Sequence, residues 1–145
     1  MAFQFTLHAV LRARIIVEEH EERLLQKILI EIAQCMREIA HLDSEMVRAN
    51  TSRAGAVLQV SNGRDLHGQY GELQELLRVR DLLVIQVGKL NELKVMQIVV
   101  YNAARQNREL LTEMRTTKRE AYKTDLSRRE QSTLDDNFIA RRSLL

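Results

Sequence analysis

Side chains that could carry out chemistry are few in this sequence, and their spacing does not assemble a site. No two of its four histidines lie four residues apart, and a single cysteine cannot form a zinc-binding pair. His41 and Glu45 could share a helix face, but two ligands do not make a metal site. Gly68 and Gly71 form a GxxG, which is too common to indicate a phosphate-binding loop. We therefore expect no catalytic residue, no metal and no cofactor, and predict that the protein is not an enzyme.

The first half of the chain has the apolar spacing of a coiled-coil helix, predicted over residues 6–53. Apolar residues recur at alternating steps of three and four, with Arg14 and Glu21 as charged exceptions. Two consecutive four-residue steps, from Leu24 to Ile32, indicate a stutter that locally unwinds the supercoil. Cys35 falls on this stripe, which predicts a buried, unreactive thiol. The stripe comprises Leu7, Val10, Val17, Leu24, Ile28, Ile32, Cys35, Ile39, Leu42, Met46 and Ala49.

A second helix is predicted over about residues 70–123, after a turn over residues 54–70. Four of the five glycines lie between residues 55 and 71, and the turn contains the strong turn signal Asn62-Gly63. Two three-residue steps in succession, from Leu90 to Met96, indicate a stammer in this helix. Its predicted stripe comprises Leu76, Val79, Leu83, Leu90, Leu93, Met96, Val100, Ala103, Leu110, Met114 and Ala121, with Gln86, Asn107 and Thr117 as polar exceptions.

Composition favours the same fold. The 145 residues include no proline, 4% aromatic residues and 45% hydrophobic residues, with charges that nearly balance at a net +2. A sandwich or barrel needs turn residues throughout, and a disordered chain is less hydrophobic. The predicted fold class is therefore all-α, a long antiparallel two-helix coiled coil forming one elongated hairpin. Pairing about a turn near residue 62 predicts arms of roughly 75 Å, with residues 124–145 overhanging as a helix or a frayed tail.

The expected compartment is the cytoplasm. One cysteine excludes a disulfide framework, and no signal peptide is recognisable. Uncharged stretches such as 54–63 and 95–104 are half the length of about 20 residues that a membrane span needs. We expect no direct membrane insertion, and the small net charge argues against nucleic acid as a partner.

A row of basic residues follows the second helix at three- and four-residue spacing, one residue away from its apolar stripe. Arginine is used instead of lysine along this row, and its planar fork suits carboxylates or phosphates. Arg105 and Arg108 lie opposite the acidic cluster at 18–22, so pairing within the hairpin is one interpretation. Arg115 and Arg119 lie near or past the end of the first helix, which favours contact with a partner. The row comprises Tyr101, Arg105, Arg108, Thr112, Arg115, Arg119 and Tyr122.

Both ends of the chain resemble the FliJ family. The opening Phe3-Gln-Phe5-Thr-Leu7-His-Ala-Val10-Leu11-Arg12-Ala-Arg14, followed by Glu18-Glu19, is similar to that family's Phe-x-Phe-x-Leu-x-x-Leu-Leu-Arg-x-Arg and its acidic residues. The closing Arg128-Arg129-Glu130-Gln131-x-x-Leu134-Asp135-Asp136, with Arg141, is similar to the family's ending.

The resemblance implies a cytoplasmic component of the bacterial flagellar type III export apparatus, peripherally associated with the cell membrane. The end bearing both termini would enter the hexameric export ATPase, and the turn-proximal half would contact the membrane-embedded export gate. Export chaperones are further expected partners. Residues implied at the ATPase end are Leu7, Leu11, Arg12, Arg14, Arg115 and Arg119. Those implied at the gate end are Leu42, Met46, Tyr70, Leu73 and Leu77, of which Leu42 and Met46 are equally well read as seam residues.

Three other interpretations remain open at the level of sequence. The chain could be a generic helical adaptor or chaperone, or the equivalent stalk of a virulence secretion system. A coiled coil that binds nucleic acid through its arginines is less favoured, because total charge is balanced and exposed aromatic residues are few.

Overall fold

Two α-helices make up the computed structural model, which describes residues 2–58 and 63–144. Helix α1 spans His8–Leu58 and helix α2 spans Gly63–Ser143. The described residues contain no strand. The predicted all-helical hairpin is therefore confirmed.

The helices extend further toward each other than the sequence suggested. α1 continues to Leu58, past its predicted end at 53, and α2 begins at Gly63, before its predicted start at 70. The predicted turn over 54–70 is thus too long, and Asn62 of the turn signal lies outside the described residues. The described glycines have no positive φ, so each costs a helix only about 1 kcal/mol relative to alanine. Gly55, Gly63, Gly68 and Gly71 are accommodated in the two helices at that cost.

At its other end, α2 continues well past its predicted limit at residue 123. It reaches Ser143, and every side chain from 123 to 144 is exposed. The predicted overhang is therefore helical through Ser143. α1 begins at His8, two residues later than predicted.

The chain divides into two compact units, each of which contains part of both helices. Unit 1 comprises Met1–Glu21 and Tyr101–Leu145, and unit 2 comprises Glu22–Val100. Contacts inside each unit show the antiparallel arrangement. In unit 1, Glu18 pairs with Arg108, and in unit 2, Asp43 pairs with Arg80. Their residue numbers add up to 126 and 123, close to the value of about 124 that a turn near residue 62 implies.

Inward-facing side chains follow a heptad pattern on each helix, interrupted on α1 between Leu11 and Glu18, where Arg14 and Ile15 are exposed. Cys35 and Leu90 are the most buried of the described side chains of unit 2, at 7% and 6% exposed, and the predicted burial of the thiol is confirmed. The inward positions are Leu7, just before α1, and, on α1, Leu11, Glu18, Glu21, Leu25, Ile28, Ile32, Cys35, Ile39, Leu42, Met46 and Ala49. On α2 they include Leu73, Leu76, Arg80, Leu83, Val87, Leu90, Lys94, Gln97, Tyr101, Ala104, Arg108 and Leu111.

The predicted stripes are wrong by one residue over part of each helix. On α1, Leu11 and Leu25 take the inward places that were assigned to Val10 and Leu24. On α2, the side chains predicted to face inward from Leu93 to Leu110 are exposed, and the residues that follow them in sequence face inward instead. With the phase corrected, steps of three and four alternate regularly over residues 18–49 and 73–111, so neither the predicted stutter nor the predicted stammer exists. Adjacent apolar residues admitted both phases, and the true one places charged residues inward.

Candidate partner-binding surfaces

The N-terminal segment of unit 1 is held against α2 by two aromatic residues. Phe5 is 8% exposed, and the Lys118 ammonium lies 5.8 Å from the centre of its ring, a cation–π contact. The ring of Phe3 lies 5.7 Å from that of Tyr122, tilted by 47°. The His8 amide donates a 3.1 Å hydrogen bond to the Phe5 carbonyl, which starts α1. Phe3 and Phe5 therefore fix the chain terminus beside the arginine-bearing stretch of α2.

An ion pair across the two helices joins Glu18 to Arg108. The Arg108 guanidinium donates two hydrogen bonds, of 2.5 Å and 3.0 Å, to the two carboxylate oxygens. The side chains are only 14% and 27% exposed. The hydrogen bond from Arg108 lowers the pKa of the Glu18 carboxyl below its usual range, despite an opposing effect of burial. Arg108 therefore pairs within the hairpin, in agreement with the interpretation that the basic row pairs with the acidic cluster at 18–22.

This ion pair should make stability depend on pH. Because the folded pKa of Glu18 lies below its usual 4.5, the pair stabilises fully above that value and is lost as pH falls through the folded pKa. We expect Glu18→Gln to lower the free energy of unfolding by about 1–2 kcal/mol at neutral pH. Urea titrations of wild type and variant should converge as the pH falls below 4.5.

The matched control for that measurement is Glu75→Gln. Glu75 also pairs with an arginine, Arg78, but both side chains are more than half exposed and lie on the same helix. Its substitution should change stability little at any pH. A Glu18→Gln variant that is destabilised equally at pH values above and below 4.5 would contradict the assignment.

Arg115 and Arg119 are among the basic side chains that unit 1 leaves available. Both are exposed, and neither has an ion-pair partner among the described residues. With Lys123 and neighbouring side chains they line a shallow depression along one face of α2. Arg115 also lines a second depression, formed with Phe3, Phe5 and His8. Arg105, by contrast, bonds to Glu109 on its own helix at 2.9 Å. The result is a basic face beside the anchored N-terminus.

The remaining residues expected at the ATPase end divide between core and surface. Leu11 is 3% exposed and lies in the core of unit 1, so it is not available to a partner. Leu7 is half-buried, while Arg12 and Arg14 are exposed on α1. All six residues expected at this end belong to unit 1.

The five residues expected at the gate end belong to unit 2, and most of them face inward. Leu42, Met46 and Leu73 are half-buried on the seam, although Leu42 also lines an open groove with Val79 and Leu83. Tyr70 is 47% exposed, and the Arg53 guanidinium lies 5.6 Å from the centre of its ring. Leu77 is 38% exposed. Tyr70 and Leu77 are therefore the more accessible members of this set.

Two exposed apolar surfaces were missed in the sequence. One lies on the outer face of α2 in unit 2, and the predicted inward stripe wrongly includes some of its residues, such as Met96. The other is the overhang in unit 1, where Leu134, Phe138 and Ile139 are each more than 60% exposed. A sequence signal existed in both cases, since apolar residues recur at helical spacing. To recognise these residues as exposed, one must know which positions of the helix face inward.

Metal chemistry finds no support within residues 2–58 and 63–144, where no group of three potential ligands is assembled. Over the same residues, neither helix has an apolar stretch long enough to cross a membrane.

Comparisons with protein-family models, with curated proteins and with solved structures found no match to this chain.

Proposed function

We propose that the protein is the non-enzymatic stalk of a bacterial flagellar type III export apparatus. In this role it binds the hexameric export ATPase through unit 1 and the membrane-embedded export gate through unit 2. It acts in the cytoplasm, at the inner side of the cell membrane, and reaches the membrane through its partners. Export chaperones are additional partners in this proposal.

The observation that carries the proposal is the helical overhang of unit 1. From residue 123 to 143, α2 is helical with every side chain exposed. Arg128 and Arg141 stand on this segment together with large apolar side chains such as Phe138. An isolated helix that exposes both kinds of side chain gains most of its stability from a partner. A ring with a central opening would supply walls on several sides of such a helix.

The anchored N-terminus supports the same reading. The Phe-x-Phe that resembles the family's opening is the pair Phe3 and Phe5, and both rings contact α2. This contact brings Arg115, Arg119 and the exposed Arg12 and Arg14 into one compact unit. The residues that the resemblance assigns to the ATPase are therefore held by the same part of the fold.

A stalk made of one hairpin cannot match all subunits of a sixfold ring at once. Its contacts must differ from subunit to subunit, and this asymmetry lets it bias their nucleotide states unequally. Arginine suits such contacts, because its long stem and planar fork can follow carboxylates on a moving wall. The stalk needs no chemistry of its own to do this.

The proposal is tested by mixing the purified chain with the export ATPase and with the cytoplasmic domain of the export gate protein from the same genome. We expect the chain to stimulate ATP hydrolysis and ring assembly at about one chain per ring. We also expect Tyr70→Ala with Leu77→Ala to weaken gate binding while leaving the stimulation unchanged. A chain that binds neither protein, at any ratio, overturns the proposal.

A further inference from the structure

The outer face of α2 in unit 2 exposes a second apolar stripe. Leu82, Ile85, Met96 and Val99 are 55%, 56%, 66% and 65% exposed. Leu93, Val95 and Val100 flank the stripe and are about half exposed or more. Within one stretch of five helical turns, these exposed apolar side chains form a patch of the kind that marks an interaction surface.

The spacing of this stripe is itself that of a coiled-coil seam. Positions 82, 85, 89, 92, 96 and 99 follow each other at steps of three and four. The buried seam of the same stretch runs through Leu83, Val87 and Leu90. In a helix of this period the two seams lie on nearly opposite sides, so α2 can pair with α1 on one side and with another helix on the other.

The middle of the outer stripe is charged. The order of its charged and apolar residues makes the stripe complementary to a second, antiparallel copy of itself. Lys89 and Glu92 interrupt four apolar positions, with two on each side. If a second α2 is laid antiparallel so that position 89 meets position 92, Leu82 meets Val99 and Ile85 meets Met96. Every apolar position then faces an apolar one, and each lysine faces a glutamate.

We propose that this face of α2 binds a second copy of the chain, with the two α2 helices antiparallel about a twofold axis between positions 89 and 92. A parallel pair would instead set Lys89 against Lys89 and Glu92 against Glu92, which is unfavourable. A twofold contact requires one surface to match itself, and the order of residues on this stripe meets that requirement.

Gly88 fits the same arrangement. It flanks Lys89, is exposed, and a Cβ placed on it would touch nothing within 4 Å in this chain. A glycine in the interior of a helix is unfavourable by about 1 kcal/mol, and the hairpin itself gains nothing from it. Beside the twofold axis it lets the two helices approach closely.

Among the described side chains, the outer face of α1 in unit 2 offers no equivalent stripe. Its most exposed large apolar side chains, Leu29, Ile30, Met36 and Val47, are interrupted by exposed polar side chains including Arg37 and Ser44. The contact between copies is therefore assigned to α2. This inference rests on unit 2 alone and is independent of the proposed export function.

The mass of the full chain in solution tests the contact. Sedimentation equilibrium over a wide concentration range should show association from 16.9 kDa to twice that mass. Ile85→Gln should weaken the association at least about tenfold, because the symmetric contact loses the side chain twice. The matched control is Ile30→Gln on α1, which is equally exposed at 59% and should leave it unchanged. A chain that remains monomeric, or an association that Ile85→Gln does not weaken, overturns the proposal.

Charge exchange tests the register. Lys89→Glu and Glu92→Lys should each weaken the association roughly tenfold, because like charges then meet at two symmetric places. The double variant should restore it, since each lysine again faces a glutamate. Failure of the double variant to recover the association, with its helicity intact, overturns the antiparallel register.

Orientation can be read from disulfide formation. Under mild oxidation, a mixture of Leu82→Cys and Val99→Cys chains should form the mixed dimer, while Leu82→Cys alone should not cross-link. Cys35 is buried, so the wild-type chain provides the uncross-linked baseline. Efficient cross-linking of Leu82→Cys with itself indicates a parallel pair and overturns the proposal.

Discussion

Replacing Leu90 by proline should remove the cooperative unfolding of unit 2 and much of the helical signal of the protein. Leu90 lies in the interior of α2 and is 6% exposed. Proline removes one backbone hydrogen bond and clashes with the preceding turn, at a cost of about 3 kcal/mol or more. Loss of the buried leucine adds about 2–5 kcal/mol, the range measured for large-to-small core substitutions. The sum is comparable to the entire stability of a small domain.

Far-ultraviolet circular dichroism during thermal unfolding measures this effect, and Leu126→Pro is its control. Leu126 lies in the interior of the same helix, but in the exposed overhang beyond the last contact with the N-terminal segment. Proline there should reduce the helical signal locally and leave the main unfolding transition in place. If Leu90→Pro melts like the wild type, the buried seam does not run through residue 90.

The existence and pairing of the two helices could be predicted because many residues contribute to each signal. The heptad spacing extends over about 50 residues in each arm, and the absence of proline removes the strongest helix breaker. The antiparallel register followed from the glycine-rich region between the arms. An error at a single position does not change a prediction that rests on many residues.

The phase of the seam could not be predicted from hydropathy alone. Val10 and Leu11, or Leu24 and Leu25, are equally apolar, so either could face inward. The pairing of charged side chains across the two helices decides which phase is adopted. Glu18 faces inward because Arg108 meets it there, and an apolar pattern has no means of choosing a glutamate.

The candidate binding surfaces depend on that phase, which explains why they were only partly predicted. Arg108 and Arg115 are seven residues apart and belong to one row in the sequence. The structure places Arg108 in an ion pair and leaves Arg115 exposed. The difference lies in what faces each arginine. Glu18 of α1 lies beside Arg108, whereas the segment that precedes α1 lies beside Arg115. Spacing along one helix does not contain this information.

Replacing both Arg115 and Arg119 by alanine should weaken binding of the export ATPase and lower its stimulation, while the hairpin remains folded. The two side chains are exposed and have no ion-pair partner among the described residues, so the substitutions remove no ion pair from unit 1. Two exposed contacts between arginine and carboxylate contribute about 0.5–1 kcal/mol each, which corresponds to roughly tenfold in affinity. Charge reversal to glutamate should be worse, because like charges then meet across the contact.

The matched control is the double variant Arg48→Ala, Arg78→Ala. These arginines are also exposed, but they belong to unit 2 and each pairs with a glutamate on its own helix. They should be dispensable for stimulation. Circular dichroism melts of both double variants verify that any loss of stimulation is not a loss of fold.

Salt distinguishes a direct electrostatic contact from an indirect effect on the stalk. Raising the ionic strength from about 0.1 M to about 1 M shortens the screening length from about 10 Å to about 3 Å. Stimulation by the wild type should therefore fall as salt rises, and stimulation by the Arg115→Ala, Arg119→Ala variant should fall less, because the screened charges are already absent. The contact assigned to this basic face is excluded if the variant stimulates the ATPase as strongly as the wild type at both ionic strengths. If both proteins lose stimulation in parallel as salt rises, the charges that matter lie elsewhere on unit 1, with Arg12 and Arg14 the next to be replaced.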